Sequence, residues 1–249
     1  MPRRFHTPQD FSTPTLRLSG REAHHLAHVL RAQPGQQIWL FDGQGHEALA
    51  EVAAVTADGV ELRIVERREG ATETRVAVTV AAAVPKGDRF RWMVEKLTEL
   101  GVARLVPLVT ARSIVDPREG KLDRMRQVIV EASKQSGRSQ LMELAPPTEW
   151  KTFLARGFAD RATYIAHPSG ETLAPDGLRS PAPPQILIGP EGGFTDQEVE
   201  EACAAGARPL SLGPRILRIE TAAVAAASFF TIWADALTDE VPERSPGDR

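Results

Sequence analysis

Gln185-Ile186-Leu187-Ile188-Gly189-Pro190-Glu191-Gly192-Gly193-Phe194-Thr195 is the stretch whose reading decides the fold. Its first residues form a short apolar run of the kind that builds a buried parallel strand, and Gly189-Pro190 ends that run abruptly. Thr195 then opens a helix on three agreeing signals. Thr195 and Glu198 have capping-box spacing, Phe194 and Val199 stand at the staple positions, and Gly206 follows the last turn. A helix N-terminus therefore faces the loop. The pattern returns downstream, where Leu210-Ser211-Leu212 reads as a short strand and Gly213-Pro214 breaks it. Arg215-Ile216-Leu217-Arg218-Ile219 then leads through Glu220-Thr221-Ala222 into an alanine-rich helix reaching about Leu237.

Two glycine loops thus lie at the carboxyl ends of two strands, the edge of an open α/β sheet where ligands bind. Glycine lets the backbone approach a ligand closely, and loop amides at helix starts can meet an adenosine edge, a ribose or a carboxylate. Neither the G-x-G-x-x-G fingerprint of dinucleotide sites nor the G-x-x-x-x-G-K-[ST] phosphate loop is present. A lone GPEGG is also what a turn needing positive φ looks like, so the information lies in the two loops together.

Working outward, Val76–Val84 is apolar enough for a central strand and ends at Pro85-Lys86-Gly87-Asp88. A helix follows from about Arg89 to Leu100, stopped by Gly101, and Leu105–Leu108 is the next strand. Strand, helix, strand is the signature of a parallel sheet. Asp116 as N-cap, with Pro117 at the first helical position, opens a helix running to about Ser136. Ala162–Ala166 is a further strand ending at His167-Pro168, and residues 169–184 read as loop. The first 70 or so residues are different. Ser19 and Glu22 have capping-box spacing before a short helix ending near Leu30. Strands at Gln37–Phe41, Glu47–Val55 and Val60–Val65 are separated by Asp42-Gly43-Gln44-Gly45 and Asp58-Gly59, which points to hairpins closing into a barrel. Thr72–Thr74 joins the two regions.

The chain has 249 residues and a formal net charge of −3, so a nucleic-acid partner would have to meet a local basic face. Such a face exists: Lys86 to Arg138 carries twelve cations against seven acids. Arg112-Ser113 sits just past a strand end and Gln135–Arg138 just past a helix end, where a nucleotide phosphate could be held. The single cysteine, Cys203, excludes an internal disulfide and fits a reducing compartment. No apolar run approaches the roughly 20 residues of a membrane span, and Met1-Pro2-Arg3-Arg4 is followed by polar sequence rather than a signal core. The expectation is a soluble cytoplasmic protein. His24 and His28 share a helix face, but a third ligand is missing and no H-E-x-x-H arrangement occurs, so no metal is expected.

GPEGGF with its capped helix, followed by LSLGPRILRIETA, resembles the two cofactor-loop signatures of the SPOUT (trefoil-knot) RNA methyltransferases. Within that superfamily the chain is most similar to the small-subunit ribosomal RNA uracil-N3 methyltransferase family. Supporting stretches are His25-Leu26 with Val29-Leu30-Arg31, Lys86-Gly87-Asp88, Lys96-Leu97-Thr98-Glu99-Leu100-Gly101-Val102, and Glu131-Ala132 with Gln135-Ser136-Gly137-Arg138. The likeness covers nearly the whole chain, leaving out about Ser169–Pro184 and the tail after Asp239.

The resemblance implies an α/β protein with a PUA-like β-barrel for RNA binding over residues 1–72. A SPOUT methyltransferase domain with a parallel sheet would occupy 73–239, before a tail at 240–249. It implies a trefoil knot, where pattern alone would give a plain doubly wound sheet. It also implies that S-adenosyl-L-methionine lies against Ala166, His167, Ile188, Gly189, Pro190, Glu191, Gly192, Gly193, Ser211, Leu212, Gly213, Ile216, Leu217, Arg218, Thr221 and Ala222. Methylating N3 of uracil requires removing its proton, for which Arg218, Glu220 and Arg138 are the candidate catalytic residues. Arg3, Arg4, His25, Arg31, Lys86, Arg112, Gln135 and Arg138 are the candidate RNA contacts. The partner would be 16S ribosomal RNA in an assembled small subunit, with the final helix supporting a homodimer. Three alternatives stay open: another target nucleotide, a different α/β nucleotide enzyme such as a dehydrogenase, and a non-catalytic RNA-binding protein.

Overall fold

A computed structural model of the chain describes residues 3–70, 72–115, 119–172 and 182–237. Asp116 and Pro117, read as a helix start, and the tail at 240–249 lie outside the described residues. The chain divides into two compact units, and the division does not follow a single cut. One unit runs to Glu73 and also takes Gln127–Leu141; the other comprises Thr74–Arg126 and the chain from Met142 onward.

The first unit is built on β1 (Arg4–His6), β2 (Thr15–Leu18), β3 (Gln37–Phe41), β4 (His46–Thr56) and β5 (Gly59–Glu69). They form one sheet in the order β1-β3-β4-β5-β2, in which β1 and β3 are parallel and the other pairs antiparallel. The two expected turns make the hairpins. Asp42 Oδ1 accepts the backbone N–H groups of Gln44 (2.7 Å) and His46 (3.1 Å), the usual work of a turn aspartate. Its Oδ2 lies 2.6 Å from His46 Nδ1, and that hydrogen bond raises the imidazole pKa. At the second turn Gly59 has φ +144°, and a Cβ there would stand 2.3 Å from the Leu18 carbonyl oxygen. Alternate residues of the strands, among them Ile38, Leu40, Val52, Val60 and Leu62, bury themselves with Phe5 and Leu26.

The helix α1 (Gly20–His24) continues as a π-turn over His25–Val29. The capping box expected at Ser19 is not formed: Ser19 is the N-cap in extended geometry, but its side chain makes no capping bond. The other ingredient of this unit comes from far along the chain. Glu73 receives Arg138 Nε at 3.0 Å and the backbone N–H groups of Ser139 (3.0 Å) and Gln140 (2.9 Å). Lys134 donates to both oxygens of Glu22 at 3.1 Å. Gly70 is required where it is, because a Cβ would sit 1.6 Å from Ser139 Oγ.

The second unit alternates strands and helices: β6 (Thr79–Ala83), α2 (Arg89–Glu99), β7 (Arg104–Val109), α3 (Glu119–Ser136), β8 (Glu143–Leu144), β9 (Thr148–Glu149), α4 (Trp150–Leu154), β10 (Ala162–Thr172), β11 (Pro184–Ile188), α5 (Asp196–Ala204), β12 (Arg208–Ser211) and α6 (Ile219–Leu237). The second half of α3 belongs to the first unit. The strands form a seven-stranded parallel sheet ordered β12-β10-β11-β6-β7-β8, with β9 also pairing to β7. β6 lies inside this sheet and every one of its residues is buried, which is why its sequence is continuously apolar and does not alternate. α2 packs on α6, and α6 lies against β6 and β11. Phe194, Trp150, Phe153 and Ala202 join Ala81, Ile165 and Leu187 in a second core.

β10 departs from the sequence reading. Residues 169–172 of the expected loop are strand instead, because the strand resumes after an excursion and runs to Thr172, and residues 173–181 of that loop lie outside the described residues. Leu210 of β12 pairs with Ala166 before the shift and with Glu171 after it. Pro168 lacks an amide donor and suits such a bulge, and Gly170 is obligatory in it. A Cβ on Gly170 would come within 2.4 Å of the Leu210 backbone nitrogen.

Candidate active site

The carboxyl ends of β11 and β12 lie on either side of the irregularity within β10, and the chain bends tightly at each of the three places. After β11 the bend is fixed by local bonds. Gly193, with φ +69°, donates its N–H to the Pro190 carbonyl at 2.8 Å. The expected capping box closes the other side: Glu198 N–H reaches Thr195 Oγ1 (3.1 Å) and Thr195 N–H reaches Glu198 Oε2 (2.8 Å). Phe194 is buried against Trp150, with ring centroids 5.3 Å apart. After β12, Gly213 adopts φ +99° and donates to Ser211 Oγ at 3.3 Å. After the first half of β10, His167 turns back on Ser169, with Nδ1 2.7 Å from Oγ.

These bends enclose a cleft of about 500 Å³, a volume typical of small-molecule sites. Ala166, His167, Ile188, Gly189, Pro190, Glu191, Gly193, Ser211, Leu212, Gly213, Ile216, Leu217 and Ala222, all among the residues that the resemblance implies for the cofactor, line it. Pro168, Thr172, Phe194, Pro214, Arg215 and Ile219 line it too, and sequence reasoning did not name them. Gly192, Arg218 and Thr221 were expected there and are not among the lining residues. Gly192 faces Arg112 instead, for a Cβ built on it would stand 3.3 Å from Arg112 Cδ.

Arg112 was expected to contact RNA, yet its guanidinium holds the glycine loop. Nη1 donates to the carbonyls of Gly192 (2.7 Å) and Phe194 (3.3 Å). The reverse bond runs alongside, from Ala111 N–H to Glu198 Oε1 at 2.8 Å. The bend after β7 and the bend after β11 are therefore clasped to each other. Hydrogen bonds to a charged donor contribute roughly 1.5 to 3 kcal/mol, and solvent exposure of Arg112 reduces that. Arg112→Ala should weaken S-adenosylmethionine binding about fivefold, or roughly 1 kcal/mol, by titration calorimetry. Unaltered affinity would show that the loop holds its shape without the clasp.

Beside the cleft lies a depression of about 500 Å³ lined by Arg89, Trp92, Ile216, Leu217, Arg218, Glu220 and Thr221. Another, of about 490 Å³, is lined by Lys86, Arg89, Ile114, Glu191 and Arg218. Arg218 borders both. Glu220, in the first turn of α6, is 6% exposed; its Oε1 lies 3.7 Å from Arg89 Nη1 and its Oε2 has no hydrogen-bond partner among the described residues. Thr221 and Arg218 thus belong to the depression, with Glu220 between them.

The remaining candidates lie in the first unit, except Lys86, which is exposed in the second. Arg138, proposed for catalysis and RNA contact, is 3% exposed, and its Nη2 pairs with Glu73 at 2.9 Å. Arg4 is likewise committed, to Glu47 at 2.7 Å and to the face of Phe41. Both guanidinium groups hold the unit together, so neither is available as a surface RNA contact. His25 packs against Phe5 with ring centroids 6.0 Å apart. Arg3, Arg31 and Gln135 are exposed. Arg31 has φ +52°, the one non-glycine residue with positive φ among the described residues. His24 and His28 stand ring to ring at 4.8 Å, and no group of three or more possible ligands that could hold a metal occurs among the described residues.

Comparison with known proteins bears on both units. A family described as an RNA methyltransferase domain matches residues 72–231, and an RNA methyltransferase PUA domain matches residues 18–65. The ribosomal RNA small subunit methyltransferase E of Bacillus subtilis is 33% identical over 90% of this chain and 92% of its own length. That of Synechocystis is 35% identical over 86% of this chain and 72% of its own. Among solved structures, a Legionella pneumophila methyltransferase in complex with the cofactor S-adenosylmethionine superposes with TM-score 0.84 at 34% identity, covering 93% of this chain and 98% of that one. The ribosomal RNA small subunit methyltransferase E of Neisseria gonorrhoeae, also bound to S-adenosylmethionine, gives TM-score 0.85 at 30% identity with the same coverage.

Proposed function

Because the chain belongs to the RNA methyltransferase family that includes the ribosomal RNA small subunit methyltransferase E proteins, we propose that it methylates N3 of one specific uridine in small-subunit ribosomal RNA. It is an S-adenosylmethionine-dependent RNA methyltransferase of the α/β trefoil-knot class with a PUA-like N-terminal domain. The observation that carries the finer reading is the cleft between the two glycine bends, with the cationic and carboxylate groups of Arg218 and Glu220 next to it.

The residues present suit the cofactor. Gly189, Gly193 and Gly213 carry no side chain into the cleft and let a ribose or carboxylate approach the backbone of the bends, and Ile188, Leu212, Leu217 and Ile219 offer an apolar lining for the adenine ring. When bound, S-adenosylmethionine supplies a sulfonium methyl that the N3 lone pair takes, the carbon–sulfur bonding pair remaining on sulfur as a thioether. Glu220 receives the N3 proton on its carboxylate. Arg218, whose guanidinium borders the depression beside Glu220, supplies the positive charge that favours the N3 anion. Holding base and methyl in line supplies much of the remaining acceleration, for well-oriented groups are worth roughly 7 to 11 kcal/mol.

Phosphates of the RNA would meet the exposed cations Arg3, Arg31 and Lys86, and the target nucleotide would be exposed or flipped out. The reading includes a homodimer, because Trp92 on α2 and Ile232 on α6 are 44% and 65% exposed, apolar surface that a second copy would cover. A ribosomal substrate places the enzyme in the cytoplasm, and no described helix is long and apolar enough to cross a membrane.

The test is incubation with methyl-labelled S-adenosylmethionine and small ribosomal subunits lacking the modification, beside naked ribosomal RNA, on protein whose mass is first measured by light scattering. Label in 3-methyluridine, from assembled subunits more than from naked RNA, is expected. Label in another nucleoside would refute the base assignment, and a one-chain mass would remove the dimer.

A further inference from the structure

Arg89 sits in the first turn of α2, and its guanidinium uses every nitrogen. Nε donates to the Lys86 carbonyl at 3.3 Å, Nη2 lies 3.5 Å from Glu191 Oε1, and Nη1 lies 3.7 Å from Glu220 Oε1. Those partners come from the bend after β6, the glycine bend after β11, and the first turn of α6. One side chain therefore ties together three segments that meet at the carboxyl edge of the sheet.

Glu220 gives this junction its meaning. The residue is 94% buried by its 6% exposure, Arg89 is its one ion-pair partner among the described residues, and its Oε2 is unpartnered. A buried carboxylate is costly without a cation, and a buried oxygen left without a donor needs an explanation. A proton acceptor accounts for the cation, because it must be held as the anion in one orientation, and the buried Oε2 gives Glu220 an unused acceptor position that a base entering the depression must uncover. We infer that Arg89 is the positioning residue for Glu220. It holds the carboxylate ready for the N3 proton and, through Glu191, links that readiness to the bend that lines the cofactor cleft. Arg89 acts through Glu220 and is not itself a catalytic residue. The inference rests on the reading of Glu220 as proton acceptor.

Arg89 also borders the two depressions with Arg218, so the competing role is an RNA phosphate contact. The two roles differ in what they do to kcat and KM and in how they combine with loss of Glu220. A contact made through Glu220 is non-additive with its loss, whereas an independent phosphate contact is additive. The experiment compares wild type, Arg89→Ala, Arg89→Lys, Glu220→Gln and the Arg89→Ala/Glu220→Gln double variant. It measures kcat and KM on small subunits lacking the modification, at saturating S-adenosylmethionine, and cofactor affinity by calorimetry. Arg89→Ala should lower kcat at least about tenfold while KM for the subunit stays within about threefold, and Arg89→Lys should recover at least about a third of the rate. In the Glu220→Gln background, Arg89→Ala should change kcat less than about twofold. Losses that multiply in the double variant, a loss confined to KM, or a lysine variant as poor as alanine would each overturn the inference. Wild-type kcat in Glu220→Gln alone would instead remove the acceptor reading beneath it. A wild-type protein that leaves the subunits unmethylated would remove the function itself.

Discussion

Arg218→Ala should leave S-adenosylmethionine binding within about twofold of wild type and lower methyl transfer about 100-fold. The separation follows from where the residue stands. It does not line the cofactor cleft, but it borders both depressions beside it, and its guanidinium has no ion-pair partner among the described residues. Losing a single preorganised group aimed at developing charge typically costs roughly 2.7 to 4 kcal/mol of transition-state stabilisation. Single-turnover transfer to subunits, with calorimetry of the same preparation, reads both quantities. Undiminished transfer would take Arg218 out of the chemistry, and lost cofactor affinity would return it to the cleft.

Gly213→Val should do the opposite, weakening cofactor binding about 100-fold or more while the fold survives. Gly213 has φ +99°, a backbone region that a β-branched residue does not tolerate, and it lines the cleft. Strain of this kind costs about 1 to 3 kcal/mol, and a Cβ there would stand 3.3 Å from Nη2 of Arg215, which also lines the cleft, so affinity should fall by about 100-fold or more. Gly192→Ala is the matched control. Its Cβ points at the flexible Arg112 side chain and lies outside the cleft, so binding should change less than about threefold. Calorimetry with both variants, each first shown folded by circular dichroism, makes the comparison. Equal affinities in the two would mean that the bend after β12 does not touch the cofactor.

The parts of this site that were legible in the sequence are those written in adjacent residues. The Thr195–Glu198 box, the glycines at the bends and the continuous apolar run of β6 each declare a local geometry, and the structure contains each. What escaped is long-range. The partner of an arginine is not encoded near it: Arg4 finds Glu47 43 positions away, Arg138 finds Glu73 65 away, and Arg112 finds Gly192 80 away. Position just past a strand or helix end marks Arg112 and Arg138 as candidates for a phosphate, but it says nothing of these intramolecular partners. β10 was cut short for the same reason. Pro168 and Gly170 are loop formers by local rule, and only the backbone of β12 makes a second stretch of strand possible. The Ser19 cap failed in the other direction, since the right spacing was present without the bond. Chain threading leaves no mark in residue periodicity at all, so the trefoil class came from family likeness alone.

Residues 127–141 complete the first unit, although the second unit begins at Thr74. This has a consequence for the order of events during synthesis. The Glu73 carboxylate emerges from the ribosome long before Arg138, Ser139 and Gln140, the groups that will satisfy it. A nascent chain therefore cannot finish its leading module and then start the next. The module written first must wait, open at one side, until translation has passed the middle of the message, and a single crossover between genes cannot exchange it intact.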